Sequence, residues 1–372
     1  MLKMVASARP RREATAAHRA RVVVVGAALA AGATAVALPV SSQAETLHSA
    51  AVLSRPSVEV IAPRVVVRAQ DQMMGNMSDD FEFQTMSYPG RSYSMLNCVD
   101  DEDQACGFYG RGSGGSPYHG TEYSPFSSNQ WSTMMYPGSS ESQVCYETDQ
   151  GRSYGFYSTS AGGRTDGFWE KNGQWGSIAY PGSSTTGAID MTEILGANNY
   201  GWSAGYAQGS RGEDYPLLYD VNTDSFKTLS IPGARSAIAD GYNDSDEEVG
   251  YYTDNGSDWD GYSYENGQLT TYSVPGATMT EINGVNDYGQ MWGMYQMPGG
   301  RTYGFIMDHD QIDTISDPSG GGSTEINGGN NDGTFVGQYS TPGGGMDGFV
   351  MEGVWPGYEQ QVAGGDLSAQ PS

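Results

Sequence analysis

From Asp80 onward the chain alternates short runs of Tyr, Ile, Val, Thr and Trp with clusters of Gly, Asn, Asp, Ser and Pro, and no 3.6-residue periodicity appears. Runs of five to seven residues bounded by turn formers predict β-strands, because β-branched and aromatic side chains suit a pleated, half-buried surface. The pattern also repeats. "TEINGVNDYGQMWGMY" (Thr280–Tyr295) and "TEINGGNNDGTFVGQY" (Thr324–Tyr339) are near copies 44 residues apart. Pro-Gly markers recur at Tyr88-Pro89-Gly90, Tyr136-Pro137-Gly138, Tyr180-Pro181-Gly182, Ile231-Pro232-Gly233 and Val274-Pro275-Gly276, with a degenerate Asp317-Pro318-Ser319. Successive prolines stand 48, 44, 51, 43 and 43 residues apart.

Each unit has one grammar. After Pro-Gly comes a strand such as "TEINGV", an Asn/Asp/Gly turn such as "NDYG" (Asn286–Gly289), and a second strand such as "QMWGMY". A Gly-rich loop leads to a third strand marked Gly-aromatic, as in Gly167-Phe168, Gly261-Tyr262, Gly304-Phe305 and Gly348-Phe349. A fourth, such as "QLTTYSV" (Gln268–Val274), runs into the next Pro-Gly. Four-stranded units at a period of 40 to 50 residues predict propeller blades. "FEFQTMSY" (Phe81–Tyr88) reads as a fourth strand with no unit before it, and the last unit fades after Gly353. An orphan fourth strand at the start and a missing one at the end are what a closing ring needs, although "GYEQQV" (Gly357–Val362) is a second candidate closing strand. The expected fold is therefore all-β, a six-bladed β-propeller over residues 81–363. An open stack would leave unpaired strand edges, which natural proteins avoid.

The unit resembles the HAF-type extracellular repeat of bacterial exported proteins, which also carries Pro-Gly, an Asn-rich turn, "VGYY" and Gly/Ala-Phe elements. "DGYNDSDEEVGYYTD" (Asp240–Asp254) and "EINGVNDYGQMWGMY" (Glu281–Tyr295) are the closest copies, and the likeness extends over roughly residues 81 to 354. Where the family often has His-Ala before Phe, this chain has Asp or Tyr and then Gly; only Tyr118-His119-Gly120 keeps a His nearby. The resemblance implies an exported repeat protein and names no chemistry.

The flanks are of a different kind. Lys3, Arg9, Arg11, Arg12, Arg19 and Arg21 precede an apolar run, Val22 to Val40, that ends in "SSQAET". That is the layout of a signal peptide over residues 1–44, with an uncleaved membrane anchor as the alternative. Residues 45–80 and 364–372 are expected to be a disordered linker and tail. Localisation is then secreted or cell-surface, with no membrane contact after cleavage.

Composition narrows the function more than it names it. Leu, Ile, Val and Phe make up roughly 15% of the chain, a level at which disorder competes with folding, but 25 Tyr, 17 Met and 7 Trp can fill a core instead. Removal of residues 1–44 leaves 12 Lys and Arg against 43 Asp and Glu, a formal charge of −31. Such a surface repels phosphate backbones, which argues against nucleic acid as a partner. The four His are scattered, and no nucleophile elbow, zincin motif or phosphate loop is present.

Candidate chemistry is confined to loops. "TDNGSDWDGYSYE" brings Asp254, Asp258, Asp260 and Glu265 close in sequence, a calcium or carboxylate-pair arrangement with Trp259 for stacking, set against a plain solvated loop. Cys98 and Cys106 flank a predicted hairpin turn and are expected to form a disulfide, with Cys98–Cys145 as the competing pairing. Of nine cations after Asp80, six (Arg91, Arg111, Arg164, Arg211, Arg235 and Arg301) fall in loops that open on one face of a propeller. Tyr118, Trp259 and Tyr303 share those loops. Arginine's planar fork suits carboxylate or sulfate groups, so the expected partner is an extracellular acidic glycan or an acidic protein surface. The alternative role of these arginines is to offset neighbouring Asp166, Glu213 and Asp260. The function expected is a non-enzymatic, monomeric binding or structural module without cofactors. The alternative is a glycan-acting hydrolase or lectin using carboxylates and aromatics.

Overall fold

A computed structural model describes residues 56–61, 64–65, 73–76, 81–110, 117–124, 130–182, 188–308, 311–316 and 322–353. The signal-peptide region, Arg111, Gly357–Val362 and the expected tail lie outside them. Every regular element among the described residues is a strand. Five repeat units are antiparallel meanders in chain order. They comprise β5–β8 (Tyr93–Val99, Ala105–Gly110, His119–Ser124, Gln130–Met134) and β9–β12 (Glu141–Glu147, Ser153–Ser158, Asp166–Lys171, Gln174–Ile178). Next come β13–β16 (Ile189–Ala197, Trp202–Gly209, Asp214–Asp220, Ser225–Leu229) and β17–β20 (Ser236–Tyr242, Glu248–Thr253, Asp260–Glu265, Gln268–Tyr272). The fifth is β21–β24 (Met279–Val285, Met291–Gln296, Thr302–Asp308, Gln311–Ile315). The last unit has three strands from its own stretch, β25–β27 (Thr324–Gly329, Thr334–Ser340, Met346–Gly353). Its fourth is β4 (Phe81–Met86), which pairs antiparallel with β27 from Gly353↔Phe81 to Gly348↔Met86. The arrangement is propeller-like.

The expected linker is not structureless. β1 (Ser57–Ile61), β2 (Arg64–Val65) and β3 (Met73–Asn76) lie parallel to β16, β20 and β24, the outer strands of the third, fourth and fifth units. These three strands fall within residues 45–80, the segment expected to be a disordered linker. It is a strap along three neighbouring outer edges.

Two glycine positions carry the packing of five of the six units, and the third unit keeps only the first of them. The inner strand holds one extra residue, a bulge, opposite a glycine in the second strand. A Cβ on Gly107, Gly155, Gly205 or Gly250 would sit 2.0 Å from the carbonyl oxygen of Met95, Gln143, Glu193 or Ile238, so no larger residue fits. A glycine in the third strand, which in four units belongs to the Gly-aromatic pair, instead makes room for the next unit. Cβ atoms on Gly120, Gly167, Gly261 and Gly304 would meet side chains of Val144, Ile194, Ile282 and Ile326 at 2.7–2.8 Å. Gly348 of the last unit receives Leu96 of the first in the same way, at 3.0 Å. The aromatic half of the pair (Phe168, Tyr262, Phe305, Phe349) is at most 1% exposed. Aromatic rings thus fill a core that is poor in aliphatics.

Candidate functional site

The inner-strand turns, Asn/Asp pairs in most units, meet around a common axis. Their first residue caps its own turn, as sequence chemistry predicts for Asx turns: Asn198, Asn243, Asn286 and Asn330 each accept two backbone N–H bonds through Oδ1. Their side-chain amides also reach outward. Asn198 Nδ2 donates to Asn243 O, Asn243 to Asn286 O, Asn286 to Asn330 O, and Asn330 to Asp100 O at 3.0 Å.

The second residue of each turn closes a circle. The backbone N–H of Asp101 donates to Asp149 Oδ1, Asp149 to Asn199, Asn199 to Asp244, Asp244 to Asp287, Asp287 to Asn331, and Asn331 back to Asp101, all at 2.7–3.1 Å. Asn199 Nδ2 bridges Asp149 and Asp244, and Asn331 Nδ2 bridges Asp101 and Asp287. The ring reads Asp, Asp, Asn, twice. It lines a cavity of about 30 Å³ with four carboxylates at its rim. Burial, followed by Asp149 and Asp332, raises the Asp101 pKa against the bonds from Asn331. Burial also pushes nearby Asp103 up to about 8, with Glu352, Asp332, Asp100 and Asp101 adding to it. Nothing in the sequence of one unit reveals that its turn bonds to the next. The available signal was that Asp or Asn occupies the same position of every unit.

The opposite end carries the predicted arginines, since loops between second and third strands and between units leave an antiparallel meander on the other side. Arg164 and Arg211 are ion-paired with acids two residues on, Asp166 at 3.6 Å and Glu213 at 3.5 Å. Arg91 and Arg301 are exposed and lie over the Tyr109 and Tyr303 rings, 5.2 and 4.7 Å from the centroids. Arg301 Nε also donates to Gly322 O. Arg235 is exposed beside Gly256. Among the described residues, none of these three is in an ion pair.

The predicted stacking residues are less open. Tyr118 is half-buried, 5.0 Å edge-on to Phe108, and Trp259 is half-buried against Tyr251 at 5.4 Å. The backbone of Trp259 bonds to Thr278 and Thr280 of the next unit, a linking role. Tyr303 is sandwiched between Arg301 and Tyr295, the latter 5.3 Å away.

The acidic loop does not converge. Asn255 Oδ1 accepts the N–H groups of Ser257 and Asp258 and its amide holds Asp258 Oδ2, so the loop satisfies itself. Among the described residues, no three His, Cys, Asp or Glu side chains are placed to hold a metal ion. Cys98 and Cys106 sit opposite each other as expected, with their sulfurs 3.0 Å apart. Cys145 packs elsewhere, with Phe156, Leu195 and Tyr206.

No protein-family model and no curated protein sequence matches the chain. Solved structures similar to it include TolB from Acinetobacter baumannii, at 12% identity and TM-score 0.44, covering 72% of this chain and 66% of that one. Another is XC5397, a gluconolactonase from Xanthomonas campestris, at 11% identity and TM-score 0.47, covering 74% and 91%. A third is the β-propeller domain of the Trilobed protease from Pyrococcus furiosus, at 8% identity and TM-score 0.39, covering 70% and 94%.

Proposed function

We propose that the protein is an exported, six-bladed β-propeller that works as a non-enzymatic binding module, with the arginine-bearing end as its binding face. The reading rests on Arg91 and Arg301, each exposed and laid over a tyrosine ring. A guanidinium fixed in plane on an aromatic face loses little freedom when it forks onto a carboxylate or sulfate. Arg235 adds a third exposed cation at the same end. Six blades are supported by the cyclic order of the inner turns and by β4 standing as outer strand of the last unit. The ligand class is an acidic extracellular glycan or an acidic protein surface. Export rests on the sequence of residues 1–44 alone.

The test is a polysaccharide array probed with protein lacking residues 1–44 at physiological salt, followed by titration of any acidic hit. Changing Arg91, Arg235 and Arg301 together to Gln should weaken that binding at least tenfold. The paired Arg164 and Arg211 changed to Gln should have little effect. Equal loss in both variants would indicate bulk charge rather than this face, and undiminished binding in the triple variant would remove it.

A further inference from the structure

Each inner-strand bulge contributes one extra residue to the interior. In order these are Asn97, Cys145, Leu195, Asp240, Asn283 and Asn327, none more than 2% exposed. The three asparagines come from the last two blades and the first. Each gives its amide N–H to a main-chain carbonyl of the next blade: Asn283 to Ile326 at 3.0 Å, Asn327 to Leu96 at 3.1 Å, and Asn97 to Val144 at 2.9 Å. A carbonyl accepts only, so the bonded branch must be nitrogen and the other branch oxygen. All three Oδ1 atoms are buried and accept no hydrogen bond, and all three residues line one cavity of about 10 Å³. It adjoins the cavity under the mouth, since Tyr146, Val285 and Gly329 line both.

Two acids adjoin the lining residues in the chain: Asp240 precedes Gly241, and Glu281 stands two before Asn283. Asp240 is the next bulge residue beside Asn283, and Glu281, 2% exposed, has an Oε2 that accepts no hydrogen bond. No Lys, Arg or His lines either cavity. One water donates two hydrogen bonds and so leaves one of three acceptors unmet, whereas a cation takes all three. Neutral amide oxygens with a carboxylate nearby are donors for a hard cation. Calcium accepts carbonyl oxygens and waters in irregular geometry, while magnesium demands a regular octahedron and dehydrates reluctantly.

We propose that the core of the channel binds one calcium ion through the amide oxygens of Asn97, Asn283 and Asn327, with Asp240 supplying charge. The carboxylates of Asp101, Asp149, Asp244 and Asp287 at the mouth concentrate the cation on its way in. The ligands span the junction between last and first blades, so the ion ties the ring where the chain is discontinuous. The site is independent of the arginine-bearing face.

Terbium reports it directly. Trp292 lines the cavity and donates its indole N–H to Asn327 O, within range to sensitise terbium emission. Protein stripped with EDTA should show saturable one-to-one emission that calcium displaces, and calorimetry should give one calcium per chain. Trp292→Phe should lose most of the emission and keep the calorimetric stoichiometry. Asn283→Ala should lower calcium affinity at least tenfold. Because that change also removes a bond between blades, Asn97→Asp provides a second reading. It should melt lower without metal yet show a larger calcium-induced rise in Tm, since it exchanges a neutral ligand for a charged one. Absence of one-to-one binding, or wild-type affinity in Asn283→Ala, overturns the proposal.

Discussion

Pro216 and Ala239 show how tightly single residues are coupled across blades. In other blades the third strand offers a glycine and the next inner strand fills it with Val, Ile or Leu, as at Gly261 and Ile282. In the third blade proline takes the glycine position, and the facing inner-strand position is Ala239, 0% exposed. The smaller partner matches the larger ring. Ala239→Ile should therefore destabilise by about 1–3 kcal/mol through overpacking, and Pro216→Gly should destabilise by a comparable amount through lost packing and a freer unfolded chain. Together they rebuild the arrangement of the other blades, so urea denaturation should show the double variant well above the sum of the singles. Strict additivity would mean the two positions do not share a contact. Gly250 is less forgiving: a Cβ there lies 2.0 Å from Ile238 O, a backbone atom that cannot move aside alone.

At the scale of elements, the strap and the orphan strand have separate roles. β4 completes the last blade, with Phe81 and Met86 buried. β1 runs beside β16 through five residue pairs, yet Ser57 to Val60 are exposed and Val60 keeps 65% of its surface in solvent. It covers backbone groups more than it buries side chains. Deleting residues 45–80 should lower Tm by only a few degrees but increase light scattering, because the outer edges of β16, β20 and β24 become free to pair with other chains. Deletion of 45–88 removes β4 as well and should lower Tm much further. Equal melting of the two truncations would show that β4 does not close the ring.

At the scale of the whole molecule, buried acid sets the response to pH. Burial pushes Glu193, Glu248 and Glu325 up to about 7, partly offset by hydrogen bonds from Tyr206 and Thr165, from Tyr262, and from Gln338. A carboxyl whose pKa is higher folded than unfolded holds a proton in the native state that the unfolded chain has released. Stability then falls as pH rises from about 4.5 toward 7, which is opposite to the usual salt-bridged carboxylate. Lower net charge acts in the same direction. Measured in EDTA, Tm should be higher at pH 5 than at pH 8. Glu248→Gln, which keeps an acceptor for the Tyr262 hydroxyl, should flatten that profile by close to one proton. A wild-type Tm that rises across this window would contradict the assignment.

Much of the architecture was legible because it is local or periodic. Strand alternation, turn chemistry, the Pro-Gly period and the orphan Phe81–Tyr88 strand are properties of neighbouring residues, and they lead to propeller-like units without any knowledge of which units touch. The pairing of Cys98 with Cys106 across a hairpin is likewise local. What tertiary structure alone decided is everything that needs two distant units in contact. Parallel pairing of β1, β2 and β3 comes from outer edges 160 or more residues away, which sequence alternation cannot rank. The Asp254–Asp260 loop looked like a ligand cluster because its acids are close in sequence, but Asn255 holds the Asp258 carboxylate and, among the described residues, no three acids are placed to hold a metal ion. Asn97, Asn283 and Asn327 lie as much as 230 residues apart and face one cavity only because the bulge recurs at the same height in each blade. The repeat puts an asparagine at the bulge in three of the units, and only the return of the last unit to the first brings those three to one cavity.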